Sequence, residues 1–139
     1  MAFTGNYTCN SFKSGLLSGD FDFDTPGDTI KMALYTNAAT LNEDTAAYTT
    51  VGEVSASGYT ASGVTLTVEK GIANNTAFIS FENVTISAAF TARGALIYKS
   101  GGSNPAICVL DFGSDKTSTA TFTVTFPTAS SADALIRLS

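Results

Sequence analysis

The feature that most constrains the fold of this sequence is a two-residue rhythm. In Thr119–Phe126, Phe122, Val124 and Phe126 alternate with Thr121, Thr123 and Thr125. An extended strand sends successive side chains to opposite faces, so this phase puts the apolar residues on a core and the threonines towards solvent or a partner. The same rhythm predicts strands at Thr29–Tyr35, with Ile30, Met32 and Leu34 inward, and at Val64–Glu69, with Val64, Leu66 and Val68 inward. Gly94–Lys99 and Ala106–Phe112 carry continuous apolar runs instead, which predicts strands buried on both faces. Ala134–Leu138 reads as a closing strand. In Phe78–Ser87 the two halves are one residue out of step, and a bulge or bend near Asn83 would reconcile them.

Helical spacing is scarce. Residues 10–18 predict a short amphipathic helix with Phe12, Leu16 and Leu17 inward, Gly15 as a weak point and Gly19 as the stop. Thr40–Glu43 has the form of a capping box and predicts a single helical turn. Residues 37–63 carry the weakest strand signal and read as one long loop. Loops of that length inside a domain are usually functional, so this one is expected to be an interaction loop. With 139 residues, no internal repeat and no linker, the chain is expected to form one β domain over residues 1–139. Seven or eight short strands point to an all-β fold, a β-sandwich or jelly-roll-like barrel with a short N-terminal helix. An immunoglobulin-type sandwich fits less well, because there is no tryptophan for the cysteines to frame.

The chemistry open to the chain is narrow. It contains no histidine, so histidine-based nucleophile systems are excluded and the commonest metal ligand is missing. Cys9 and Cys108 lack metal-site spacing, and Cys108 lies inside an apolar run as a small buried hydrophobe would. The N-terminus has no secretory pattern, so the protein is expected to be made in the cytoplasm, which argues against a Cys9–Cys108 disulfide. Asp20, Asp22 and Asp24 imitate the start of a calcium loop, but Thr25 stands where glycine is needed and Lys31 where glutamate is needed. The preferred reading is an extended segment with Phe21 and Phe23 inward; an irregular calcium site on Asp20, Asp22 and Asp24 is the alternative. No cofactor is expected. Glu43 and Asp44 are adjacent and Glu53, Glu69 and Glu82 stand alone, so no carboxylate pair recommends a glycosidase, and an enzyme is disfavoured.

Charged residues make up 14% of the chain, and the seven basic ones are scattered, which disfavours nucleic acid as a partner. No apolar run is long enough for a membrane helix. A weakly charged, threonine-rich surface can be covered by a partner without desolvating many ions. That suits a protein that acts by contact.

The residues also resemble a known group. Asn10-Ser11-Phe12-Lys13 ahead of an apolar pair, followed by Ile30-Lys31-Met32-Ala33-Leu34-Tyr35-Thr36-Asn37-Ala38-Ala39-Thr40-Leu41, is similar to the opening of small tailed-bacteriophage virion proteins. The segment from Ala47 to Gly63 and the strand Thr91-Ala92-Arg93-Gly94-Ala95-Leu96-Ile97-Tyr98 resemble later blocks of the same proteins, in the same order. The resemblance implies a virion structural role, in particular a capsid decoration (cement) protein that binds the major capsid protein or other virion proteins. It further implies a homo-oligomer, such as a trimer, assembled in the host cytoplasm. On that reading Tyr48 and Tyr59 are the candidate anchors, and Glu53 and Arg93 the candidate ion-pair or hydrogen-bond partners. A tail or receptor-binding protein is the alternative, and a carbohydrate-binding module the second alternative.

Overall fold

The computed structural model describes residues 3–139. Its elements run β1 (Tyr7–Thr8), α1 (Asn10–Leu17), β2 (Thr29–Tyr35), β3 (Val64–Thr65), β4 (Val68–Ala73), β5 (Thr76–Phe81), β6 (Val84–Ile86), β7 (Phe90–Ser100), β8 (Ala106–Ser118), β9 (Phe122–Val124) and β10 (Ile136–Leu138). The fold is all-β, and every strand pairing is antiparallel. A five-stranded sheet has the order β1-β8-β7-β2-β3, a three-stranded sheet β10-β5-β4, and a two-stranded sheet β6-β9.

The five-stranded sheet carries a core on each face. On the first face lie Ile30, Met32 and Leu34 of β2, Ala95 and Ile97 of β7 and Cys108 of β8. Phe81, Ile86, Phe122, Val124 and Phe126 of the smaller sheets and their flanks close over them, with Phe12 and Phe23 from the N-terminal third. Burying each of these large side chains contributes about 1.5–3 kcal/mol. On the second face, Ala33, Tyr35, Leu96, Tyr98 and Val109 pack beneath Phe3, Ala39 and Leu41. The alternation in Thr29–Tyr35 therefore reports only half of what happens there. Ala33 and Tyr35 occupy the phase expected to be outward, yet both are 0% exposed, because the long loop covers that face.

The central strands behave as their apolar runs predict: Ala95, Leu96 and Ile97 are fully buried, as are Ile107 and Val109. Phe122, Val124 and Phe126 are buried while Thr121, Thr123 and Thr125 are exposed, although the ladder itself spans only β9. Other expectations need correction. Phe78–Ser87 is not one bulged strand, since it breaks at Glu82 and Asn83 and its halves enter different sheets. The Asn83 side-chain oxygen accepts the Phe126 N–H at 2.8 Å, so it ties that break to the segment after β9. Val64–Glu69 likewise splits into β3 and β4, which raises the strand count to ten among the described residues.

No helical turn begins at Thr40. Asn42 instead closes a turn, its side-chain oxygen accepting the Asp44 N–H at 2.9 Å, in the local way asparagine competes with helix. In α1 Phe12 and Gly15 are buried and Leu16 packs partly buried against the first core, but Leu17 is 92% exposed, against expectation. Gly15 is what lets the acidic segment pack on the helix, because a Cβ there would lie 2.6 Å from the Phe21 ring. The Asp20 N–H bonds the Gly15 carbonyl at 2.9 Å and ends the helix.

Candidate interaction site in the long loop

Between β2 and β3 the chain runs without a named strand or helix and is held by side chains instead. It starts over the second face, where Ala39 and Leu41 are buried. It then runs along the end of β2 beyond its β3 pairing: the Thr36 N–H bonds the Gly52 carbonyl at 2.8 Å and the Val54 N–H the Leu34 carbonyl at 2.9 Å. It finishes on the first face, where Val54 and Tyr59 join the core.

Glu53 sits at that crossing. One carboxylate oxygen accepts the Tyr48 hydroxyl at 2.6 Å; the other accepts the Tyr59 hydroxyl and the Ser62 N–H, each at 2.8 Å. The Tyr59 hydroxyl also accepts the buried Leu34 N–H at 3.0 Å. Two sheet tyrosines fasten the loop from beneath: the Tyr35 hydroxyl donates to the Thr49 carbonyl at 2.7 Å, and the Tyr98 hydroxyl to the Ser62 carbonyl at 2.6 Å. The Tyr48 and Tyr98 rings stack with centroids 4.9 Å apart. Burial pushes the ionisation of Tyr35, Tyr48, Tyr59 and Tyr98 up, and at Tyr48 and Tyr59 the hydrogen bond to anionic Glu53 adds to it.

The structure thus brings three of the four interface candidates together, but as an internal clasp. Tyr59 is 8% exposed, and its hydroxyl is engaged. Tyr48 is half-buried, and its hydroxyl is engaged. Arg93 lies elsewhere, at the β7–β8 pairing, where its Nε donates to Asp111 at 3.1 Å. The roles of Tyr35 and Tyr98 were missed in the sequence. The signal was there: a tyrosine at a core position of a strand must find a partner for its hydroxyl.

The Asp20, Asp22 and Asp24 carboxylates do not converge. The Asp22 side chain accepts the Asp24 N–H at 2.9 Å, and Asp24 pairs with Lys70. Asp28 takes the Asp22 N–H at 2.7 Å and pairs with Lys99 at 3.3 Å, while the Lys99 ammonium also reaches the Asp20 carbonyl at 2.6 Å. Among the described residues no three acidic or cysteine side chains group as a metal site would require. The calcium reading on these residues is corrected accordingly. Phe21 and Phe23 do face inward, onto Phe12 at 5.0 and 6.0 Å between ring centroids.

Cys9 and Cys108 are both buried free thiols. Cys108 belongs to the first core and Cys9 to the second, so the sheet lies between them. Burial raises both thiols, Cys9 to about 11 and Cys108 further, which keeps them protonated and poor nucleophiles at neutral pH.

Two of the open clefts on the surface bear on contact with a partner. One, of about 370 Å³, is lined by Thr50, Glu53, Ser55, Ser57 and Tyr59 among others. The second, of about 410 Å³, lies between the far end of β8 and β9, with Phe112, Phe122 and Val124 among threonines and Lys116 its only charged group. No helix among the described residues is long and apolar enough to cross a membrane. No protein-family profile, curated protein or solved structure matches this chain.

Proposed function

We propose that this chain is a non-enzymatic structural component of a tailed-bacteriophage virion, a capsid decoration protein that binds the outer shell and ties capsomers together. The observation that carries the reading is the groove between β8 and β9. Beyond Val109, β8 has a strand neighbour only on its β7 side among the described residues, and β9 pairs only with β6. Free strand edges offer main-chain groups that can accept a strand from a neighbour, and β9 carries no charge to discourage one. Threonines at its rim can be covered at little desolvation cost.

The smaller sheets stacked over the first face of the large one make a β-sandwich, a rigid block suited to repeated contacts. The resemblance of residues 10–112 to small tailed-phage proteins supplies the particle, with the major capsid protein as partner and a homo-oligomer, such as a trimer, as the assembling unit. Weak contacts repeated over a shell add up through multivalency. Thiols held protonated, tyrosine hydroxyls committed to the loop and a sequence without imidazole support a role without catalysis.

The test is the particle itself. Virions of the phage that encodes the chain should contain it at hundreds of copies by quantitative gel. Particles lacking it should assemble but lose DNA at lower temperature. A count of a few dozen would move the protein to the tail, and its absence from purified particles would overturn the proposal.

A further inference from the structure

We infer that the Glu53 cleft is a receptor for a single lysine side chain presented by a neighbouring protein. Glu53 is a carboxylate fixed in place by three neutral donors: the Tyr48 and Tyr59 hydroxyls and the Ser62 N–H. Among the described residues no lysine or arginine nitrogen lies within 4.0 Å of it, whereas Asp24, Asp28 and Asp111 each have such a partner. Glu53 is therefore only partly exposed and has no cation beside it among the described residues.

The remaining capacity of the site selects the ligand. A carboxylate has about four acceptor positions, and three are taken, two on one oxygen and one on the other. That leaves room for one more N–H rather than for a guanidinium fork across both oxygens. An ammonium carries three donors on a point charge, and Thr50, Ser55 and Ser57 in the same lining supply hydroxyl acceptors for the others. Next to Thr50 stands Val51, 70% exposed in the turn that leads into Glu53. An exposed valine next to the cleft's Thr50, with the Glu53 carboxylate in the lining, matches a side chain with an aliphatic stem and a cationic head.

The inference rests on the virion reading only for the source of the lysine, and its test uses the purified chain. The ¹⁵N-labelled protein is titrated with Nα-acetyl-lysine methylamide while the Ser62 amide, bonded to the same carboxylate, is followed by NMR. A saturable shift is expected, with the uncharged norleucine analogue binding at least about tenfold more weakly, the discrimination one charge-assisted contact supplies. Glu53→Gln should abolish the shift. Should that variant fail to fold, Val51→Ser, at an exposed position, should fold and bind several-fold more weakly. Equal binding of the two analogues, or no saturable shift at Ser62, would overturn the site. A lysine-binding chain absent from virions would refute the proposed function and leave the site standing, and a virion component that ignores the probe would do the reverse.

Discussion

Arg93 and Asp111 meet, Nε to Oδ1 at 3.1 Å, where β7 and β8 fall out of step. Ala92 pairs with Lys116 and Gly94 with Asp111, so residues 112–115 stand opposite Arg93 alone. The same Asp111 oxygen accepts the Gly113 N–H at 2.8 Å, and its backbone N–H bonds the Asn6 side chain at 2.6 Å. The pair pins the bulge. Both side chains are little exposed, at 12% and 13%, so Arg93→Met strands a carboxylate with little access to water. The expected loss is about 2–4 kcal/mol by urea unfolding, and Arg93→Met combined with Asp111→Asn should cost less than Arg93→Met alone.

The same pair gives an acid dependence. Burial works against ionisation of Asp111, but the Gly113 N–H and the Arg93 guanidinium outweigh it and hold the carboxyl below its ordinary value. As pH falls, the unfolded chain takes up this proton first, so the contribution is complete above about pH 4 and fades below it. Wild-type stability should drop more steeply in that range than that of Arg93→Met.

Tyr59→Phe removes one oxygen that serves two partners. It leaves the buried Leu34 N–H without an acceptor and Glu53 without one of its donors. An orphaned buried donor costs about 1–3 kcal/mol, and that is the expected destabilisation. Hydrogen exchange at Leu34 should accelerate while exchange in β8 stays slow. Tyr48→Phe, at a half-buried ring, should cost less, and the two changes should not add, because both act through Glu53.

At high pH the sign reverses. Tyr35, Tyr48, Tyr59 and Tyr98 all ionise less readily in the folded chain, chiefly because they are buried. Their contribution is whole below the ordinary tyrosine value of about 10, and it is lost as pH rises beyond it, when the unfolded chain releases protons the native one retains. Phenolate absorbance should therefore rise together with loss of the native circular dichroism. A tyrosine titration complete before unfolding would contradict the clasp.

The strands were legible because their signal is local. Ile30, Met32 and Leu34, or Phe122, Val124 and Phe126, declare a face within one segment. What a strand faces on its other side is not local: nothing in Thr29–Tyr35 tells that a distant loop buries Ala33 and Tyr35. Phe78–Ser87 fails for a related reason, since a change of phase is the same signal for a bulge and for a change of sheet. In the candidate site the residue types were legible, but the direction in which the tyrosines turn was not. Glu53, Tyr48 and Tyr59 are close in sequence, but whether tyrosines on a loop turn out or in depends on Leu34 and Tyr98, which lie far along the chain.

The sheet between Cys9 and Cys108 carries a prediction for thiol chemistry. The strand partner of Cys108 is Thr8, so Cys9, one residue on, points to the opposite face. A disulfide would have to pass through the sheet. Under air the chain should remain without an internal bridge, running alike on reducing and non-reducing gels. A thiol reagent should label neither cysteine in the native protein and both after unfolding. Native labelling of Cys9 would contradict its burial and its thiol raised to about 11.

Gly63 and Gly113 separate backbone strain from steric exclusion. Their φ angles are nearly the same, +88° and +84°, in the left-handed region that side chains rarely adopt. Around Gly113 a Cβ would meet nothing within 4 Å, so Gly113→Ala should cost only the conformational term, about 1–2 kcal/mol. At Gly63 the same Cβ would lie 1.9 Å from the Met32 carbonyl oxygen, which belongs to the core of β2 and cannot yield. The preceding Ser62 is also left-handed, at φ 78°, and it holds both the Glu53 carboxylate and the Tyr98 hydroxyl. Any shift of Gly63 therefore opens the clasp as well. Gly63→Ala is expected to cost about 2 kcal/mol more than Gly113→Ala in urea unfolding, or to prevent folding altogether. Equal costs for the two substitutions would mean that the loop does not close against β2 as described.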